Sequence, residues 1–246
     1  SNSLFCPARK HNSAFRSRAK VELNQTGYGM LSGGREYMSQ FDYVIVGAGS
    51  AGCVLANRLS ANPEIRVCLL EAGGSNRSPL LHVPAGWAAT FGNSKFDWSF
   101  QTEPEPELNN RQVLWPRGKV LGGSSAINGM IYIRGVPLDF AAWEQAGAKG
   151  WSWEEVLPYY KKAEKQQIHM DDMHGTDGPL LVQDVRDKRP MDNEFIRAMN
   201  QAGIPSNPDF NGVDQAGCGY YQFTQNNGRR WSKPPGSYRN LRYGSR

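Results

Sequence analysis

A chain of 246 residues with 39% hydrophobic and 21% charged side chains can bury one large core or two small ones. Its longest apolar stretch, Tyr43 to Ala56, is broken by three glycines and a serine, so no transmembrane helix is predicted. The net charge of +5 does not mark a nucleic-acid binder, because residues 41–231 carry 18 Lys/Arg against 21 Asp/Glu and the positive excess lies in the two flanks.

The chain opens on a basic flank. Arg9, Lys10, Arg16, Arg18 and Lys20 stand among serines with no acid before Glu22, and no period is visible through residue 37. That composition resembles an organellar transit peptide, and a leader placed upstream of Met38 explains it equally well. The expected location is therefore cytoplasmic, or mitochondrial if residues 1–37 are a transit peptide. Cys6, Cys53, Cys68 and Cys218 have no CxxC or Cys/His spacing, so no disulfide framework and no metal site is expected, and a reducing compartment fits.

From Phe41 to Val46 a short β-branched apolar run ending in glycine predicts a buried strand. Ala51 to Leu59 predicts a helix with Val54, Leu55 and Leu59 on its apolar side, and Arg66 to Glu71 a second buried strand. Strand, helix and strand within about thirty residues form a βαβ unit, which requires a parallel sheet. A long Pro/Gly/Trp-bearing stretch follows Gly73; its aromatics Trp87, Phe91, Phe96, Trp98 and Phe100 predict an ordered, packed excursion. Helices are predicted over 139–146, 153–164 and 191–202, and a strand over 178–183, with 165–178 polar and turn-like. Residues 233–246, with Pro234 and Pro235, carry no defined element.

Two glycine-rich segments carry the chemistry. Gly47-Ala48-Gly49-Ser50-Ala51-Gly52 is a GxGxxG that closes a strand and opens a helix. Gly47 permits the tight turn, Gly49 lets backbone approach a pyrophosphate, and Gly52 lets helix pack on strand. The helix start offers N–H groups and the positive end of its dipole to phosphates. Glu71 follows Gly52 by 19 residues at the end of the second strand, where a carboxylate accepts from ribose hydroxyls and repels a 2′-phosphate. This motif predicts a dinucleotide site and leaves FAD and NAD both open. The second segment, Arg117 to Tyr132, supplies small residues, two hydroxyls and an amide that suit a flat ring system; a helix capped by Ser124 or Ser125 is the competing reading.

The stretch Gly118 to Asp139 resembles the first signature of the glucose-methanol-choline (GMC) oxidoreductases, in its order of glycine pair, hydroxyl pair, hydrophobe, Asn, aromatic and glycine. Leu70-Glu71-Ala72-Gly73-Gly74, His82-Val83-Pro84-Ala85-Gly86 and Gly150-Trp151-Ser152-Trp153 are similar to that family in the expected order, and the choline/alcohol dehydrogenase branch is the nearest in flavour. The resemblance implies an α/β fold: a Rossmann-like FAD-binding domain (βαβ, parallel sheet) over 41–157, and the beginning of an α+β substrate-binding domain over 158–232. It implies FAD, with Gly47, Gly49, Ser50, Ala51, Gly52 and Glu71 at the ADP half. Gly122, Gly123, Ser124, Asn128, Gly129 and Ile131 would line the pyrophosphate and isoalloxazine. Some members join flavin covalently to a histidine just before the Asn; Ile127 stands there, so a non-covalent FAD is expected.

The resemblance further implies hydride transfer from the CH–OH carbon of an alcohol to flavin N5, with an electron acceptor (oxygen, quinone or other) that the chain does not reveal. The family's catalytic histidine lies toward the carboxyl end, and none of His11, His82, His169 and His174 matches it. No catalytic residue is therefore assigned. The chain reads as an amino-terminal portion with 233–246 either a foreign end or a natural short tail. A flavin-binding product without turnover is the alternative function.

Overall fold

A computed structural model describes residues 41–231 together with the backbone of two short strands, β1 (Val21–Leu23) and β2 (Gly29–Leu31). These two pair antiparallel, with Val21 opposite Leu31. No period in the leader announced them, because three-residue strands are too short to display one. The rest of the leader and the tail from residue 232 lie outside the described residues.

Two units are present, one running to Asn128 and the next beginning at Gly129. In the second unit Ile131–Tyr132 pairs with a strand some ninety residues later.

In the first unit, β3 (Tyr43–Val46), α1 (Ser50–Leu59) and β4 (Val67–Leu70) form the expected βαβ, β3 lying parallel to β4 in the register Tyr43 to Val67 through Val46 to Leu70. All four residues of β4 are buried. β3 is not buried as expected: Val46 is 83% exposed and Tyr43 and Val44 are exposed too, because among the described residues its only strand neighbour is β4. The helix also turns a different face inward. Gly52, Cys53 and Ala56 are buried on the core of Ala48, Val67, Leu69 and Leu121, whereas Val54 and Leu55 are exposed. A Cβ on Gly52 would stand 1.9 Å from the Gly47 carbonyl oxygen, so only the absence of a side chain there allows α1 to lie this close to the end of β3.

The excursion after Gly73 holds α2 (Pro79–His82) and the hairpin of β5 (Phe100–Gln101) with β6 (Leu114–Trp115). Of its predicted aromatics Phe96 alone is buried, in a cluster with Leu81, Val120, Ala126 and Ile127. Order comes equally from Asp97, a buried carboxylate accepting from the N–H groups of Gly92 (2.8 Å), Ser99 (3.0 Å) and Arg117 (2.8 Å). Burial raises its pKa, and these backbone donors outweigh burial and leave it below the usual carboxylate value.

The second unit contains β7 (Ile131–Tyr132), α3 (Pro137–Gln145), α4 (Trp153–Ala163), β8 (Glu164–Gln166), β9 (Leu180–Asp184), α5 (Pro190–Gln201), β10 (Gln222–Phe223), β11 (Gln225–Asn226) and β12 (Arg229–Arg230). Its main sheet has the order β7-β10-β9-β8, antiparallel at β7–β10 and β10–β9 and parallel at β9–β8, so the expected α+β character holds. α4 starts on a capping box: Ser152 Oγ accepts from the Glu155 N–H and the Glu155 carboxylate accepts from the Ser152 N–H. The segment expected to be turn-like from 165 begins instead inside β8. Glu164 and Gln166 point inward there, and polar inward residues do not register as a strand pattern.

Candidate cofactor site

At the end of β3 the chain turns through Gly47, which has φ +93° and donates its N–H to the Leu70 carbonyl at 2.7 Å. Gly49 precedes the first turn of α1 in extended conformation, with no side-chain cap and no acid in that turn. The leading N–H groups of a ten-residue helix, at exposed Ser50 and Ala51 and buried Gly52, are thereby offered to an anion.

The second glycine-rich segment comes to the same place. Gly122 donates to the Ala48 carbonyl at 2.8 Å, and a Cβ on Gly123 would stand 2.8 Å from the Gly49 Cα. Both Gly122 (φ +100°) and Gly123 (φ +56°) use the left-handed region. The serines do not cap a helix. Gly123–Ala126 is a single 3₁₀ turn, Ser124 Oγ accepts from the Gly118 N–H (3.1 Å) and Ser125 Oγ donates to the Gly122 carbonyl (2.7 Å). Ser124 and Asn128 are exposed, linked by the Asn128 N–H donating to the Ser124 carbonyl at 2.8 Å. Ile127 is buried in the cluster with Phe96 and has no nucleophile to offer.

Eight of the predicted residues, Gly47, Gly49, Gly52, Glu71, Gly122, Gly123, Ser124 and Asn128, thus gather through a few backbone contacts. Ser50 and Ala51 start the helix beside them. Gly129 and Ile131 fall in the second unit, where Gly129 is exposed and Ile131 is exposed on β7. Glu71 is buried, and its two oxygens accept from the N–H groups of Ala48 (2.7 Å) and Gly73 (2.8 Å). Each oxygen retains a second lone pair for a ribose hydroxyl. The residues fit a dinucleotide: a Cβ at Gly49 would meet nothing closer than Gly123 Cα at 4.0 Å, so the fingerprint backbone is bare where a pyrophosphate would lie.

A second constellation, in the second unit, was not legible in the sequence. Arg134, Glu164 and His174 are buried, and Glu164 accepts from Arg134 Nη2 and from the Gly175 N–H (3.0 Å). His174 lies between carboxylates, Nδ1 3.1 Å from Glu164 and Nε2 2.8 Å from Asp209. Burial disfavours its charged form, but the hydrogen bonds to Asp209 and then Glu164, with their charges, outweigh burial and raise its pKa to about 9. Asp209 is lowered for the reciprocal reason: burial pushes it up, and the bonds from His174 and the Asn211 N–H more than reverse this. Asp171, His174 and Asp209 bring donor atoms within 4.8 Å of one another, yet the protonated ring has no lone pair for a cation, so no metal is assigned. The one trace of this packing in the sequence is Gly175 and Gly178 after His174, where a Cβ would meet the Lys161 carbonyl oxygen at 1.8 Å and the Ala163 carbonyl carbon at 2.3 Å.

This ring makes stability pH-dependent. A folded-state pKa of about 9 lies above the ordinary 6.5, so the contribution of His174 is complete below about pH 6.5 and is lost as pH rises through 9. Asp209 acts oppositely, stabilising above its ordinary 3.8 and failing as pH falls through its lowered value. The midpoint of thermal unfolding is expected to decline between pH 6.5 and 9. A flat profile across that window in the wild type, matching that of His174→Gln, contradicts the assignment.

The chain matches the family described as GMC oxidoreductase over residues 41–237. It is 53% identical over 193 residues to an alcohol dehydrogenase (acceptor) of Pseudomonas putida, covering 78% of this chain and 35% of that one. An oxygen-dependent choline dehydrogenase of Sinorhizobium fredii is 48% identical with the same coverage. Among solved structures, pyridoxine 4-oxidase from Mesorbium loti superimposes with a TM-score of 0.73 at 39% identity, over 78% of this chain and 38% of that one. A formate oxidase gives a TM-score of 0.71 at 29% identity. The chain therefore spans about a third of the length of the curated relatives it matches. No helix among the described residues is long and apolar enough to cross a membrane. The family match, the structural neighbours and a site made of bare backbone at a helix start agree on FAD as the cofactor, and the chain belongs to the GMC oxidoreductase family.

Proposed function

We propose that this chain is the FAD-binding part of an oxidoreductase that oxidises the CH–OH group of an alcohol. The convergence of Gly49 on Gly123 carries the reading, because two glycine segments over seventy residues apart build one side-chain-free surface at the start of α1. The names of the relatives, alcohol and choline dehydrogenases, support the alcohol. Bound FAD supplies the hydride acceptor at flavin N5. The backbone of Gly47–Gly49 and the opening turn of α1 take the pyrophosphate charge, and Glu71 accepts from the ribose and disfavours a 2′-phosphate. Ser124 and Asn128 would supply a hydroxyl and an amide on the flavin side of the first unit.

His174 is not the base that takes the alcohol proton. Protonated, and engaged at both nitrogens, it has no site for a proton at neutral pH. That observation favours a second reading, in which these 246 residues hold flavin and turn nothing over. Purified chain mixed with FAD is expected to acquire flavin absorbance that acid or heat releases to the supernatant. Flavin left attached after denaturation, or preference for NADP, overturns the site. Anaerobic addition of choline and primary alcohols separates the two readings: bleaching of the flavin supports turnover, and an unbleached spectrum supports binding alone.

A further inference from the structure

We infer that Glu71 is a positioning residue for both glycine-rich segments, beyond any ribose contact; the inference rests on the flavin reading of this site and deepens it. Glu71 directly follows β4 and is 7% exposed. One oxygen accepts from the Ala48 N–H at 2.7 Å and the other from the Gly73 N–H at 2.8 Å.

Each of those peptides leads to the second segment. Ala48 is fully buried, and its carbonyl accepts from the Gly122 N–H at 2.8 Å. Gly73 packs so closely that a Cβ there would stand 2.0 Å from the Lys119 carbonyl carbon, and the next residue, Gly74, accepts from the Leu121 N–H at 3.0 Å. A single carboxylate therefore grips loops 47–49 and 73–74, and 119–122 hangs from both. The flavin-side residues Gly122, Gly123 and Ser124 are in this way placed by a side chain at the adenosine end.

The residue type matters. A carboxylate presents acceptors on both oxygens, whereas the amide of glutamine turns an NH₂ toward one of the two buried N–H groups and leaves it unpaired. A role confined to the ribose makes Glu71→Gln silent in protein without flavin. A positioning role does not.

Amide hydrogen exchange of the flavin-free full chain, wild type against Glu71→Gln, decides between them. Exchange at Ala48, Gly73 and across 119–124 is expected to quicken roughly tenfold or more, as the loss of a charge-assisted hydrogen bond implies, while α3 to α5 stay unchanged. Wild-type exchange across 119–124 overturns the inference. If Glu71→Gln does not fold, Glu71→Asp keeps the charge but is one methylene short. It is expected to quicken exchange at Ala48 or Gly73 and over 119–122, and unchanged exchange there likewise overturns the proposal.

A binding arm separates this inference from the flavin reading. Affinities of wild type and Glu71→Gln are compared for FAD and for an FAD lacking both the 2′- and 3′-hydroxyls of the adenosine. A loss on substitution that persists with the analogue supports positioning, and one that vanishes with it indicates a ribose contact alone and overturns positioning. Wild type that binds no FAD refutes the flavin reading, and the exchange result still decides the role of Glu71.

Discussion

Replacing Glu164 by glutamine is expected to lower the unfolding free energy by about 3–5 kcal/mol, the range for removing one partner of a buried ion pair. The Glu164 side chain is fully buried and collects Arg134 Nη2, His174 Nδ1, the Gly175 N–H and Gln166 Nε2. A glutamine amide offers one acceptor oxygen where four donors converge, and it leaves the Arg134 guanidinium buried without its counter-charge. His174 can shed its proton, so the lasting penalty falls on the buried Arg134 guanidinium left without its carboxylate partner. Urea denaturation measures the effect as a lower midpoint at unchanged slope. Replacing Arg134 and Glu164 together by methionine is expected to recover part of the loss, because the desolvation of both charges disappears with them. A loss below about 1 kcal/mol for Glu164→Gln, the scale of exposed pairs, shows that water reaches this network and defeats the buried-pair account.

Gly49→Ala and Gly52→Ala are expected to weaken flavin binding by different routes. At Gly52 an added methyl would lie 1.9 Å from the Gly47 carbonyl oxygen, so α1 must move off the loop. Overpacking of this kind costs about 1–3 kcal/mol of stability, and the displaced loop loses its ligand as well. At Gly49 the methyl meets nothing nearer than 4.0 Å and the backbone is in an ordinary region, so the flavin-free protein accommodates it. The same methyl stands where the pyrophosphate needs bare backbone, and a clash of about 1–3 kcal/mol weakens FAD by roughly fivefold to a hundredfold. Flavin fluorescence titration beside thermal unfolding distinguishes the cases. A Gly49→Ala protein of wild-type affinity refutes a pyrophosphate at this turn, and one of strongly reduced stability shows a packing role instead.

What was legible in the sequence is what local sterics dictate. Gly47 needs a positive φ, Gly52 needs to lack a side chain, and β4 is an unbroken apolar run; each requirement sits within a few residues of its cause. Helices α3, α4 and α5 came within about two residues of their expected spans for the same reason, since a 3.6-residue period is a local property. The second segment was recognised through its resemblance to the family signature, since its composition alone fits a serine-capped helix; its form is a 3₁₀ turn held by Gly118 and Ala48.

Burial and charge state were decided by partners distant in the chain. The apolar face of α1 was misjudged because the sheet selects Gly52, Cys53 and Ala56 by closeness of approach, not by hydrophobicity. β3 looked buried because its residues are apolar, yet exposure depends on which strands flank it. His174 read as part of a polar connection. Its imidazolium exists only because Glu164, ten residues earlier, and Asp209, thirty-five residues later, close on it in a buried site, where the pull of two carboxylates exceeds the penalty of desolvation. Glu71 shows both sides: its position at the end of β4 announces a dinucleotide, while its grip on Ala48 and Gly73 follows from the folded backbone, since a buried N–H must find an acceptor and the sequence does not say which.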